Sequence, residues 1–82
     1  MTPSRRVDPV TARRLRLLAL AAAGGVRPTL TAVATATGVD RGTLRDLVAG
    51  ARVPSPRTVQ RIAVGFGVPE SFVLAAVRGA VR

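Results

Sequence analysis

The stretch TLTAVATATGVDRGTLRDLVAG, residues 29–50, decides how this chain folds. Thr29 offers a hydroxyl to cap a helix over about 30–37, and Gly38 ends it, because a residue free to adopt positive φ suits a tight turn between helices. Asp40 caps a second helix over about 41–49, and Gly50 closes that one. Val39 plugs the corner. Val33 and Ala34 face inward from the first helix, Leu44, Leu47 and Val48 from the second, and Thr37 takes a further inward place. Ala34 is small enough to let the two helices cross closely. With Leu44 inward, a repeat of about 3.6 residues turns Gly42, Arg45, Asp46 and Ala49 outward and leaves Arg41 near the exposed N-terminal end.

The same punctuation continues on both sides. Asp8 followed by Pro9 starts a helix that runs to about residue 23, with Leu15, Leu18, Ala19 and Ala22 on one apolar stripe and Arg13 and Arg16 on another face. Gly24 and Gly25 end it. The loop 51–54 leads to Ser55-Pro56, which repeats the cap-then-proline start; Val59, Ile62, Ala63 and Phe66 then recur at helical spacing up to Gly67. Pro69 and Glu70 open a fifth helix carrying Phe72, Val73, Ala76 and Val77. No alternating strand pattern competes. The expected fold is all-α, a compact five-helix domain over residues 9–78, between a basic arm at 1–8 that includes Arg5 and Arg6 and a tail at 79–82.

Composition narrows the chemistry. Eighty-two residues suffice for one modest core. There is no Cys and no His, so a thiol nucleophile, an imidazole base, a disulfide and the usual zinc ligands are all missing. Asp8, Asp40, Asp46 and Glu70, scattered and without a base partner, make no catalytic set, so neither an enzyme nor a cofactor or metal site is expected. The net charge of +9 comes from thirteen arginines and no lysine, which points to a polyanion, either nucleic acid or an anionic membrane surface. A genome rich in G and C would explain Arg over Lys but not the excess of charge. Only Phe66 and Phe72 are aromatic, which disfavours single-strand binding through stacked bases and leaves double-stranded DNA as the expected partner.

Arg13, Arg14 and Arg16 ahead of the apolar run 17–26 imitate an export signal, with residues 32–34 as a small-residue cleavage site. That run is too short to span a bilayer, and cleavage would discard a segment the fold needs, so a cytoplasmic, DNA-associated protein of a bacterial cell is expected. No membrane and no small-molecule ligand is indicated.

Two short helices joined by a Gly-containing turn form the arrangement that lays its second helix in a DNA major groove. Ala34, Gly38 and Val39, with Leu44 and Leu47 following, are succeeded in register by Gly50-x-Arg52-x-Pro54-Ser55-x-x-Thr58-x-x-x-Ile62-Ala63-x-x-Phe66-Gly67-Val68. Over about residues 15–74 the chain therefore resembles the lambda-repressor and Cro-like, Xre-type, helix-turn-helix family. Three departures stand out. Leu30 occupies the place where the family usually has a phosphate-contacting Gln, the loop 24–28 is longer than usual, and Thr37 fills a place that is commonly apolar.

The outward face supplies candidates for base readout: Arg41, Gly42, Arg45, Asp46 and Ala49. Arg45 is the first choice, by a bidentate contact to guanine worth roughly 1–3 kcal/mol of discrimination, against a phosphate contact or a solvated arginine. Arg41 divides between base edge and phosphate. Asp46 either accepts from cytosine N4 or orients a nearby Arg, and Gly42 would let DNA approach the backbone. Thr29, Thr31, Thr43, Arg52 and Arg57 suit phosphate contacts, and Arg5 and Arg6 could follow a groove. Phe72, Val73, Ala76 and Val77 offer a dimer or partner surface. The function implied is a sequence-specific transcriptional regulator, phage repressor or Cro-like, acting as a homodimer at least on DNA. Its rivals are an antitoxin-like protein-interaction module with secondary DNA binding, a DNA-bending excision or architectural factor, and a membrane-active cationic helix over 13–26. Caps and stops along the whole chain oppose the last.

Overall fold

A computed structural model describes residues 8–78, so Arg5, Arg6, the rest of the arm before Asp8 and the tail 79–82 lie outside the described residues. The helices are α1 (Pro9–Ala23), α2 (Leu30–Thr37), α3 (Arg41–Ala49), α4 (Pro56–Phe66) and α5 (Glu70–Arg78), with no strand among the described residues. The fold is all-α, as the sequence implied. Four starts are held by side-chain caps, each satisfying a backbone N–H that the helix itself leaves without a partner. Asp8 accepts from the Thr11 N–H at 3.0 Å, Thr29 from Ala32 at 3.1 Å, Asp40 from Thr43 at 3.2 Å and Ser55 from Thr58 at 3.2 Å.

The core is one cluster fed by every helix. Leu17 and Ala21 of α1 meet Val33 of α2, Leu44, Leu47 and Val48 of α3, Val59, Ile62, Ala63 and Phe66 of α4, and Val73 and Val77 of α5. α1 lies between α3 and α5, while α4 packs on α2 and α5. No described helix is long and apolar enough to cross a membrane.

The orientation of α1 differs from the expected one. Leu15 is 56% exposed, Ala19 and Ala22 are exposed and Leu18 is only partly buried, while Leu17 and Ala21 are the fully buried side chains. Sequence periodicity could not fix the buried face because apolar residues surround nearly the whole of the segment after Arg16. Two arginines settle the rotation. Arg13 Nε donates to the Val48 carbonyl oxygen near the end of α3 at 2.7 Å, and Arg16 Nε to the Ala76 carbonyl oxygen of α5 at 3.2 Å. Both are partly buried rather than turned away from the core, their apolar stems lying along the helix contacts and their charges at carbonyl-rich helix ends.

The α2–α3 turn is built as the sequence suggested, with Gly38 at φ 76° and Val39 buried. Thr37 is buried too, and its hydroxyl is satisfied on both sides: Oγ1 donates to the Val33 carbonyl at 2.7 Å and accepts from the Val39 N–H at 3.2 Å. A polar residue is therefore well placed at this inward position.

Ala34 is half-buried against the core, but a closer approach is made elsewhere, where Gly65 of α4 meets the last turn of α2. A Cβ at Gly65 would lie 2.8 Å from Thr37 Cγ2 and 2.9 Å from the Ala36 carbonyl oxygen. Helix propensity alone would make Gly→Ala favourable by up to about 1 kcal/mol. Here the clash should win: Gly65→Ala is expected to destabilise the domain by roughly 1–3 kcal/mol, the range for overpacking. Thermal unfolding should show a lowered midpoint for Gly65→Ala and almost none for Val64→Ala, a site 74% exposed on the same helix. An unchanged or raised midpoint for Gly65→Ala would refute the close crossing.

Candidate nucleic-acid interface

α3 projects from the core on Leu44, Leu47 and Val48, and its opposite side carries the expected outward residues. Arg41, Gly42, Arg45 and Ala49 are exposed and Asp46 is half-buried. The structure brings Arg41 and Arg45 together with Thr29 and Thr31 of the α2 start around one polar hollow. Arg41 Nη1 donates to Thr31 Oγ1 at 3.2 Å, so the first turns of α2 and α3 are directly linked. Arg14 of α1 lines the same hollow, as does the side of Leu30. Sequence reading missed Arg14 because it grouped with its neighbours in α1; a contact between elements far apart in sequence leaves no periodic signal.

The remaining candidates divide by what already occupies them. Asp46 Oδ2 lies 3.5 Å from Arg52 Nη2, an exposed ion pair of small energetic weight that joins α3 to the following loop. Of the two readings of Asp46, the orienting one has a partner at hand. Thr43 donates its hydroxyl proton to Asp40 Oδ1 at 2.8 Å while its N–H meets Asp40 Oδ2, so it serves the helix start and would have to leave the cap to donate to a phosphate. A Cβ at Gly42 would stand 3.1 Å from Asp40 Oδ2, with no other crowding outside the helix itself. The cap thus gives Gly42 a local reason to be glycine beside any approach of DNA. Arg57, in the first turn of α4, is exposed and outside the hollow.

Phe72 is 54% exposed, but Val73, Ala76 and Val77 are buried in the domain's own core. Of the four residues expected on a dimer or partner surface, those three are taken by folding of the single chain, because α5 must cover both α1 and α4.

A capped helix, a left-handed glycine turn and a second helix with cations on its open side together define a helix-turn-helix domain. The chain belongs to the family described as "Helix-turn-helix domain", whose model matches residues 11–75. No curated protein and no solved structure matches it.

The caps carry a pH dependence. Hydrogen bonds from the Thr43 hydroxyl and N–H hold the Asp40 carboxyl below its ordinary 3.8, and those from Thr11 do the same for Asp8. A carboxyl lowered on folding contributes stability that is fully present above its unfolded value and is lost as pH falls through the folded one. The unfolding midpoint should therefore drop on acidification below about pH 4. Asp40→Asn keeps an acceptor for the α3 start yet cannot titrate, so its drop should be shallower. Parallel acid curves for Asp40→Asn and the parent in thermal melts would show that the cap charge does not matter.

Proposed function

We propose that the domain is a sequence-specific regulator of the lambda-repressor and Cro-like kind, a phage-type repressor that lays α3 in the major groove of double-stranded DNA. The observation that carries this reading is the convergence of Arg41 and Arg45 with the capped start of α2 on one exposed face. Arg45, exposed and rooted on a helix whose other side is locked in the core, has the reach and rigidity for bidentate contact with guanine. Arg41, tied to Thr31 at the start of α2, is assigned to a base edge or to the adjoining phosphate. Ala49 offers a methyl to a thymine, and Arg52, steadied by Asp46, and Arg57 are available to phosphates on the flank.

The same reading includes a homodimer formed on DNA. Each chain carries +9, which opposes association in free solution, and a duplex removes that opposition. Phe72 stands at a largely apolar groove of about 810 Å³ between α1 and α5, lined also by Ala19, Leu20, Ala23 and Ala75. Knob and hollow lie on one patch, as a two-fold interface requires. An inverted repeat is the operator symmetry that follows.

Two measurements test this. In duplex selection followed by titration over a salt series, Arg45→Ala should lose roughly 1–3 kcal/mol of preference at one base position. Arg57→Ala should instead weaken selected and random duplexes alike and lower the salt slope by about one unit. Selection that yields no preferred sequence would overturn the regulator. For the dimer, sedimentation on an inverted-repeat duplex should give two chains per duplex for the parent and one for Phe72→Asp, with thermal midpoints unchanged. One parent chain per duplex at saturation would remove it.

A further inference from the structure

Three arginines line one hollow where α1, α2 and α3 meet. Arg14, Arg41 and Arg45 line a hollow of about 280 Å³, enough for a phosphate group and a few waters. Its other walls are Thr29, Leu30 and Thr31. Thr29 Oγ1 accepts from the Ala32 N–H and Thr31 Oγ1 from Arg41, so each hydroxyl keeps its own proton to donate. Among the described residues no carboxylate pairs with any of the three arginines; the ion pair there is Arg52–Asp46, outside the hollow. Like charges gathered in a concavity repel one another, and low-dielectric walls concentrate their field, so the arrangement favours an anion.

As the occupant of the hollow itself a phosphate fits better than a base edge, while Arg45, which borders the hollow, keeps its fork for the groove. Every polar group facing the hollow has a donor to give, and its forked cations match tetrahedral oxygens carrying charge. The Leu30 side chain brings neither donor nor charge, so the charge at the α2 start has to come from neighbouring helices. Arg13 and Arg16, fastened to the Val48 and Ala76 carbonyls, fix the rotation of α1 and leave Arg14 turned toward the hollow.

We propose that this hollow seats one phosphodiester of the DNA backbone and that Arg14, outside the two-helix motif, is one of its ligands. The inference rests on the DNA-binding reading above. A seated phosphate beside Arg45 would fix the depth and register at which α3 enters the groove.

The test uses Arg14→Gln, an exposed site whose thermal midpoint should match the parent. On the selected duplex and on random DNA the variant should bind more weakly by the same factor. With the salt slope reduced by about 0.9, that factor should shrink about threefold between 50 and 200 mM salt. A neutral methylphosphonate scanned along the selected duplex should weaken the parent at one linkage where it leaves Arg14→Gln unaffected. Parent binding with an unchanged affinity and slope for Arg14→Gln overturns the seat alone, whereas a parent that prefers no duplex overturns the regulator reading first. Inorganic phosphate provides the remaining arm. If it raises the thermal midpoint of the parent and not of Arg14→Gln, while duplex affinity and slope are equal in both, the hollow belongs to a free anion and the DNA seat is refuted.

Discussion

Between α2 and α3 the backbone passes through one left-handed residue, Gly38, and the Thr37 hydroxyl fastens both sides of it. The bond to Val33 secures the last turn of α2, and the bond from Val39 holds the first residue after the glycine. Val39 then closes the corner with an apolar side chain, and Gly65 lets α4 press against this same turn. The angle between the two helices is set by these contacts together. Since Arg41 and Arg45 hang from α3 and Thr29 and Thr31 from α2, that angle also sets the width of the hollow between them.

A second constraint acts at the far end of α3. Its last carbonyls need partners, and the Val48 oxygen finds one in Arg13, which reaches across from α1. Arg16 does the same for α5 at Ala76. One helix thus anchors both the helix that faces outward and the helix that bears Phe72. The exposed face of α3 and the exposed Phe72 are connected through a short, stiff element rather than through a loop.

Helix boundaries were legible in the sequence because each start carries its own chemistry. Asp8, Thr29, Asp40 and Ser55 announce themselves by side chains that reach a backbone N–H three residues on, and such local signals survive any tertiary arrangement. The outward face of α3 was legible for a related reason, since Leu44, Leu47 and Val48 leave only one way to bury it. The face of α1 was not, because Leu15, Leu17, Leu18 and Leu20 make several apolar stripes and the choice between them is made by Arg13 and Arg16 at residues 35 and 60 positions away. Gly65 and Arg14 escaped for the same cause. Their meaning lies in a neighbour distant along the chain, and nothing within one turn of either residue hints at it.

The allocation of the acids explains why so much positive charge stays outward. Asp8 and Asp40 are spent as helix caps, Glu70 stands in the first turn of α5 where a negative charge suits the helix dipole, and among the described residues Asp46 alone forms an ion pair with an arginine. Folding therefore consumes the few carboxylates on backbone N–H groups and dipoles, and almost none of the arginine charge is neutralised within the domain. Helical carbonyls take up Arg13 and Arg16 without cancelling their charge. A chain of +9 built this way keeps a lasting demand for a polyanion, and three of its arginines, unpaired among the described residues, border the polar hollow, where the α1 side, the α2 start and the exposed face of α3 come together.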